Sequence, residues 1–173
     1  KRNKDKLMIN LSCSSLKTAL ENMKRNQNDP NILNDLIKIN NDRIEGYELA
    51  IDLANEQGEG AREAVFRQFI GQSEKFIAEL SPLVEFAGQY ATDRTKLSGE
   101  LFRLWMVIKS KLSGGNMQDL LEHCDRGETA FREVYNKALA EENKLSIGPK
   151  KLIQIQLSQQ REAHENIKIM QKG

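Results

Sequence analysis

Two ionisable side chains lie where helical periodicity points them into the protein. Glu128 falls on the apolar stripe of one predicted helix, and His164 falls on the core side of another. An inward carboxylate and imidazole could bind a metal ion loosely, or they could hydrogen-bond to each other. In the second case the inward amides of Asn40, Gln72 and Gln160 would complete a buried polar network. The sequence favours the network, because a stable metal site usually needs three or four protein ligands.

A second pair of reactive residue types is His123 and Cys124, which are adjacent in the sequence. Adjacent residues of a helix point in different directions, so a nucleophile and its base are not expected here. Cys124 is predicted to be a small core residue. Because Cys13 is far from Cys124 in the sequence, the two thiols predict neither a disulfide framework nor a paired metal motif. The expected location is a reducing compartment, the cytoplasm.

Long amphipathic helices must position these side chains. Apolar residues recur every three or four positions along four stretches, which predicts four long helices. The predicted helices run from Asn31 to about Glu56, from about Ala61 to Phe86, from about Asn116 to Glu142, and from about Pro149 onward. Pro82 should bend the second helix or end it early. A shorter helix from Leu101 to Leu112 is predicted in the connection between the second and third, which is long enough to run the length of a bundle.

The sequence divides into a basic arm over residues 1–28 and one helical bundle over residues 29–173. The arm carries seven Lys and Arg residues against Asp5 and Glu21. It is predicted to be a partly ordered tail or a short helix, with a membrane-surface or partner-binding helix as the alternative. Asp29-Pro30 marks the start of the bundle.

Composition limits the classes of function. The 173 residues are 39% hydrophobic and 29% charged, with only 6% aromatic residues, which is typical of one all-α domain. The formal net charge of +1 gives no reason to expect a nucleic acid as partner. No run approaches the roughly 18 apolar residues of a transmembrane helix, so no transmembrane segment is expected.

Several segments together form a recognisable pattern. They are Leu33-Asn34-Asp35-Leu36, Asn40-Asn41-Asp42, Ile44-Glu45-Gly46-Tyr47, Trp105-Met106, Leu112-Ser113-Gly114-Gly115, Leu121 to Glu128, and Ala163-His164. From about residue 31 to the end, the chain resembles a bacterial family of uncharacterised ferritin-like four-helix-bundle proteins. The resemblance implies an all-α, ferritin-like four-helix bundle with a short extra helix in the long crossover. It implies no activity, because that family has none assigned.

The wider ferritin-like superfamily implies a set of metal ligands with which this chain can be compared. A di-iron bundle of this kind uses one Glu from each of two helices and a Glu-x-x-His pair from each of the other two. By spacing from the inward Tyr47, the first ligand position is held here by Asn40, a neutral amide. The second helix has Phe69 and Gln72 where Glu and His would be required.

The last helix keeps His164, but Arg161 stands three positions before it, where a cation would oppose a metal ion. Only Glu128 and His164 therefore match ligand positions. The resemblance accordingly implies a degenerate metal site.

Two functions remain open from the sequence. The favoured hypothesis is a non-enzymatic helical module without a cofactor, acting by protein binding, small-ligand binding or self-association. Ferritin-like bundles often associate, so the resemblance also implies a homo-oligomer or a protein partner. The alternative is a metal-binding oxidase or iron-handling protein that uses Glu128 and His164 with iron or another divalent metal. Its further ligands would be Glu45 or Glu48 from the first helix and Glu162 from the last.

Overall fold

The computed structural model describes residues 29–88, 116–140 and 145–172. Those residues form four long α-helices, and no strand occurs among them. The helices are α1 (Asp29–Glu56), α2 (Glu63–Phe86), α3 (Met117–Ala140) and α4 (Ile147–Lys172). A 3₁₀ turn, Gly60–Arg62, precedes α2. The prediction of an all-α fold is confirmed.

The helix ends follow from local sequence signals. Each helix begins within two residues of its predicted start. Beyond the end of α1, Gly58 has a φ of +77°, a backbone conformation that glycine adopts without a steric penalty. Pro82 does not end α2, which continues to Phe86. The proline is exposed and only one turn from the helix end, so the single intrahelical hydrogen bond that it removes costs little.

The helices are arranged so that α2 and α3 run parallel. A short turn joins α1 to α2, and the Asn55 side chain donates to Glu63 across it, so these two helices are antiparallel. Tyr47 of α1 donates to Glu128 of α3 and Asn40 donates to Tyr135, which makes α1 and α3 antiparallel as well. The chain therefore leaves α2 at one end of the bundle and enters α3 at the other, roughly 36 Å away for a helix of 24 residues.

The core between the helices is mainly apolar, with buried polar side chains at its centre and Asp29 and Asp42 buried as well. Its largest fully buried side chains are Tyr47, Tyr135, Phe66, Phe76, Phe131, Leu33, Leu36, Ile37, Leu80, Leu120 and Leu121. The aromatic rings contact one another, with Phe131 stacked on Tyr135 at 4.7 Å between centroids. Three of the core rings, Tyr47, Phe69 and Phe131, lie around the buried Arg43 cation described below.

Two predicted segments lie outside the described residues: the basic arm over 1–28 and the short helix from Leu101 to Leu112. None of the helices in the described part of the chain combines the length and the apolar character needed to span a membrane.

Candidate functional site

The centre of the bundle contains a buried ion pair between α1 and α3. Arg43 is 3% exposed and Glu128 is 1% exposed. The guanidinium binds both carboxylate oxygens, with Arg43 Nε 2.7 Å from Glu128 Oε1 and Nη2 3.2 Å from Oε2. Two parallel charge-assisted hydrogen bonds fix the relative orientation of the groups as well as their distance. The pair therefore sets the register of α1 against α3.

The Glu128 carboxylate is saturated with hydrogen bonds. Besides the two bonds from Arg43, Oε1 accepts one from the Tyr47 hydroxyl at 2.6 Å, and Oε2 accepts one from Gln160 Nε2 at 2.7 Å. An ionised carboxylate offers about four lone-pair sites, and four donors occupy them here. As folded, Glu128 has no lone pair left for a metal ion.

The opposite side of the guanidinium faces α2. Arg43 Nη1 lies 3.0 Å from Ser73 Oγ, 3.1 Å from Gln72 Oε1 and 3.2 Å from the carbonyl oxygen of Phe69. Gln72 in turn donates through Nε2 to the carbonyl oxygen of Gln159, at 3.1 Å. Gln159 belongs to α4, so the network around the ion pair connects all four described helices.

Three aromatic rings enclose the Arg43 cation. Its Cζ atom lies 5.1 Å from the ring centroid of Phe131, 5.5 Å from that of Tyr47 and 5.6 Å from that of Phe69. Cations are attracted to aromatic faces at such distances. Burial lowers the pKa of the Arg43 guanidinium, but the Glu128 carboxylate and nearby tyrosines raise it by more, so the pKa lies above its ordinary value. Arg43 therefore remains a permanent cation inside the core.

The Tyr47 hydroxyl remains a donor over the whole physiological pH range. Its pKa lies well above the ordinary value of 10.0, because burial disfavours the phenolate and the Glu128 carboxylate repels it. Burial also raises the pKa of Tyr135. Both phenols are fixed hydrogen-bonding groups and not proton carriers.

Replacing Tyr47 with phenylalanine should lower the free energy of unfolding by about 1.5–3 kcal/mol near pH 8, because it removes a hydrogen bond to a buried charge. The difference from the wild type should shrink above pH 10, since unfolding then releases a proton that native Tyr47 retains, which destabilises only the wild type. Urea denaturation of both proteins at about pH 8 and pH 11 measures this. An unchanged difference at the higher pH would contradict the raised pKa.

A second polar chain lies next to the ion pair. The Asn40 amide donates to the carbonyl oxygen of Leu36 and to the Tyr135 hydroxyl, both at 2.8 Å. The hydroxyl donates to Gln156 Oε1 at 2.9 Å, and Gln156 Nε2 donates to Glu79 Oε2 at 2.9 Å. The chain crosses from α1 through α3 and α4 to α2. Asn40 thus binds a tyrosine and a backbone carbonyl, in a layer separate from Glu128.

His164 has a different partner from Glu128. Its Nε2 atom lies 2.7 Å from Asp125 Oδ1, and the two side chains are 2% and 32% exposed. Among the described residues no hydrogen bond joins His164 to Glu128, and His164 Nδ1 is buried without a hydrogen-bond partner. The structure therefore places the two predicted ligands in neighbouring layers, each bound to another side chain.

The other predicted ligands lie away from this centre. Glu45, Glu48 and Glu162 are exposed, on the outer faces of α1 and α4. Arg161 is exposed as well, so it is not the cation that faces Glu128. That cation is Arg43, which comes from α1 instead of α4.

The burial of Arg43 is not among the sequence predictions, although the sequence carries a signal for it. It lies three residues after Asn40 and four before Tyr47, so it shares their helix face. A long basic side chain is normally predicted to be exposed to solvent. It can be buried here because an acidic partner on another helix neutralises it. Asp125 has a comparable signal, because it precedes Glu128 by three residues on α3.

The surroundings of His123 and Cys124 do not favour nucleophilic catalysis. His123 Nδ1 lies 2.6 Å from the carbonyl oxygen of Asp119 in its own helix. Burial, together with the nearby carboxylates of Glu128 and Asp125, raises the pKa of the Cys124 thiol. The thiolate, which is the reactive form, is therefore strongly disfavoured.

The described residues form a helical bundle in which the buried cation and the buried carboxylate at the centre neutralise each other. Across 29–88, 116–140 and 145–172, no three His, Cys, Asp or Glu side chains are grouped as metal ligands would be. Residues 28–141 match the family described as Domain of unknown function (DUF2383), and the chain belongs to that family. No curated protein and no solved structure is significantly similar to it.

Proposed function

We propose that this chain is a non-enzymatic bundle of the ferritin-like type that acts by binding proteins through its outer surface. The observation that carries the proposal is the state of Glu128, whose two oxygens accept four hydrogen bonds from Arg43, Tyr47 and Gln160. A carboxylate in this state can neither coordinate a metal ion nor accept a substrate proton without disrupting the network.

The ferritin-like part of the proposal is supported by topology. Parallel α2 and α3 require a connection that spans the bundle, as ferritin-like folds have and simple up-and-down bundles do not. In such a bundle the metal ions supply positive charge among inward carboxylates. Here the buried guanidinium of Arg43 supplies that charge next to Glu128.

A second candidate function is metal binding at His164. The observation that favours it is the buried Nδ1 atom of His164, which lacks a hydrogen-bond partner in the described structure, while the partly exposed Asp125 carboxylate binds the other ring nitrogen, Nε2. Two side chains are fewer than the three or four that hold a metal ion stably, so this candidate stands behind the first.

Elemental analysis by mass spectrometry separates these functions. The wild-type protein, purified without a metal-affinity tag, should contain iron, manganese and zinc only at background. It should remain so after anaerobic incubation with ferrous iron and desalting, because Arg43 already neutralises Glu128.

Metal near one equivalent per chain would overturn the proposal. Loss of that metal in His164→Ala, with retention in the exposed control Glu133→Gln, would then assign it to the second candidate.

A further inference from the structure

Large apolar side chains are exposed mainly on one face of α4. Of the four exposed large hydrophobic residues in the described structure, three belong to this helix: Ile147 is 81% exposed, Ile155 48% and Ile169 65%. At 100° per residue these three positions lie within an arc of about 80°. The exposed residues Lys151, Ser158, Glu162 and Glu165 fall within the same arc. We refer to these seven residues as the α4 outer face.

Five of the seven residues of the α4 outer face are arranged so that they complement a second copy of themselves. Ile147 and Ile169 are equally far from Ser158 in sequence, and so are Lys151 and Glu165. Consider a second copy of α4 packed antiparallel, with the two Ser158 residues on the two-fold axis. Each Lys151 then faces a Glu165, and each Ile147 faces an Ile169. An isologous two-fold contact requires this kind of symmetry.

The charges favour the antiparallel arrangement over a parallel one. In a parallel pair Lys151 would face Lys151, and Glu165 would face Glu165, so both contacts would be repulsive. Glu165 also has an intrahelical ion pair with Lys168 at 3.1 Å, which leaves its second oxygen able to accept from a neighbouring chain. The small side chain of Ser158 at the axis lets the two helices approach closely.

We propose that the partner of the α4 outer face is a second copy of this chain, packed antiparallel about Ser158. This inference rests on the proposed function, since it names the protein that the surface binds. The apolar contacts supply the affinity, and the charged pairs determine orientation, because exposed ion pairs add little strength. One helix face of this size makes an interface at the small end of the range, so the dimer is expected to be weak and to dissociate on dilution.

Sedimentation equilibrium of the full chain, at concentrations from about 10 to 500 µM, measures the self-association. The wild type should form a dimer that dissociates on dilution. The double variant Ile147→Lys/Ile169→Lys should weaken the dimer at least about tenfold, while Phe86→Lys, at the exposed large hydrophobic residue outside α4, should not change it. A monomeric wild type, or equal effects of both variants, would overturn the proposal.

Two charge variants, measured alone and mixed, test the orientation. In a parallel pair each variant alone only replaces one like-charge contact with another, so its dimerisation would stay unchanged. Lys151→Glu alone and Glu165→Lys alone each put like charges together at both ends of the antiparallel pair, so each should dimerise more weakly than the wild type. A mixture restores two opposite-charge contacts, and the heterodimer should be favoured at least about fivefold over either homodimer. Single variants that dimerise as strongly as the wild type would exclude the antiparallel arrangement, and the absence of the heterodimer preference would exclude direct contact between these charges.

These results are independent of the metal analysis. A metal-free protein that remains monomeric would overturn only the dimer, while the proposed protein-binding function would stand. A protein that dimerises as described but binds stoichiometric iron would overturn the proposed function instead.

Discussion

Replacing Arg43 with methionine should lower the free energy of unfolding by about 3–5 kcal/mol, which is a large part of the stability of a domain this size. Methionine fills most of the volume but leaves the Glu128 carboxylate buried without a counter-charge. It also removes the contacts of the guanidinium with Ser73 and Gln72. Urea denaturation followed by circular dichroism, at neutral pH, measures the effect.

A double-mutant cycle attributes this effect to the ion pair. Glu128→Gln alone should also be strongly destabilising, because it leaves a buried guanidinium without an anion. The double variant Arg43→Met/Glu128→Gln should lose clearly less than the sum, by about 1–3 kcal/mol, since no unpaired charge remains. Strictly additive losses would mean that the two residues stabilise the bundle independently. As a surface control, Arg67→Met breaks the exposed pair with Glu63 and should leave stability close to that of the wild type.

Phe131→Ala should have an effect of similar size, about 3–5 kcal/mol, for a different reason. The Phe131 ring is 1% exposed, stacks on Tyr135, and is the nearest of the three rings around the Arg43 cation. Removing it leaves a cavity and one open side of the aromatic enclosure. Thermal and urea denaturation measure the loss.

Two control variants show how much of the stability loss in Phe131→Ala comes from lost volume and how much comes from the buried position of the ring. Phe131→Leu keeps most of the apolar volume and should cost only about 1–1.5 kcal/mol. Phe86→Ala removes the same ring from a site that is 40% exposed, and its cost should be far below that of Phe131→Ala. Similar losses in the free energy of unfolding for Phe86→Ala and Phe131→Ala would mean that the aromatic enclosure around Arg43 does not add to stability.

The helices were predictable because their signals are local. Apolar spacing located α1 to α4, and it also placed Glu128 and Gln160 on inner faces, where the structure has them. Pro149 was expected to start the last helix and instead lies in its first turn, after Ile147. Proline is tolerated at several positions of a first turn, so this residue fixes a helix start only approximately.

The pairing inside the core was less predictable, because it depends on the rotation and height of four helices together. Periodicity assigned Glu128 and His164 to the interior without showing their partners. Glu128 pairs with Gln160, one turn before His164, and His164 pairs with Asp125, one turn before Glu128. The burial of Arg43 is not a local property either. It depends on Glu128, which is 85 residues away in sequence.

Because α4 supplies hydrogen bonds to the polar centre of the bundle, the unit that can fold on its own must include α4. The family similarity stops at residue 141, before α4 begins at Ile147. Yet Gln160 supplies one of the four hydrogen bonds to Glu128, and Gln156 accepts from the buried Tyr135. A chain cut at the limit of similarity would open the inner side of α3 to water and leave both groups without these partners. The evolutionary boundary of the family and the physical boundary of the domain therefore do not coincide in this protein.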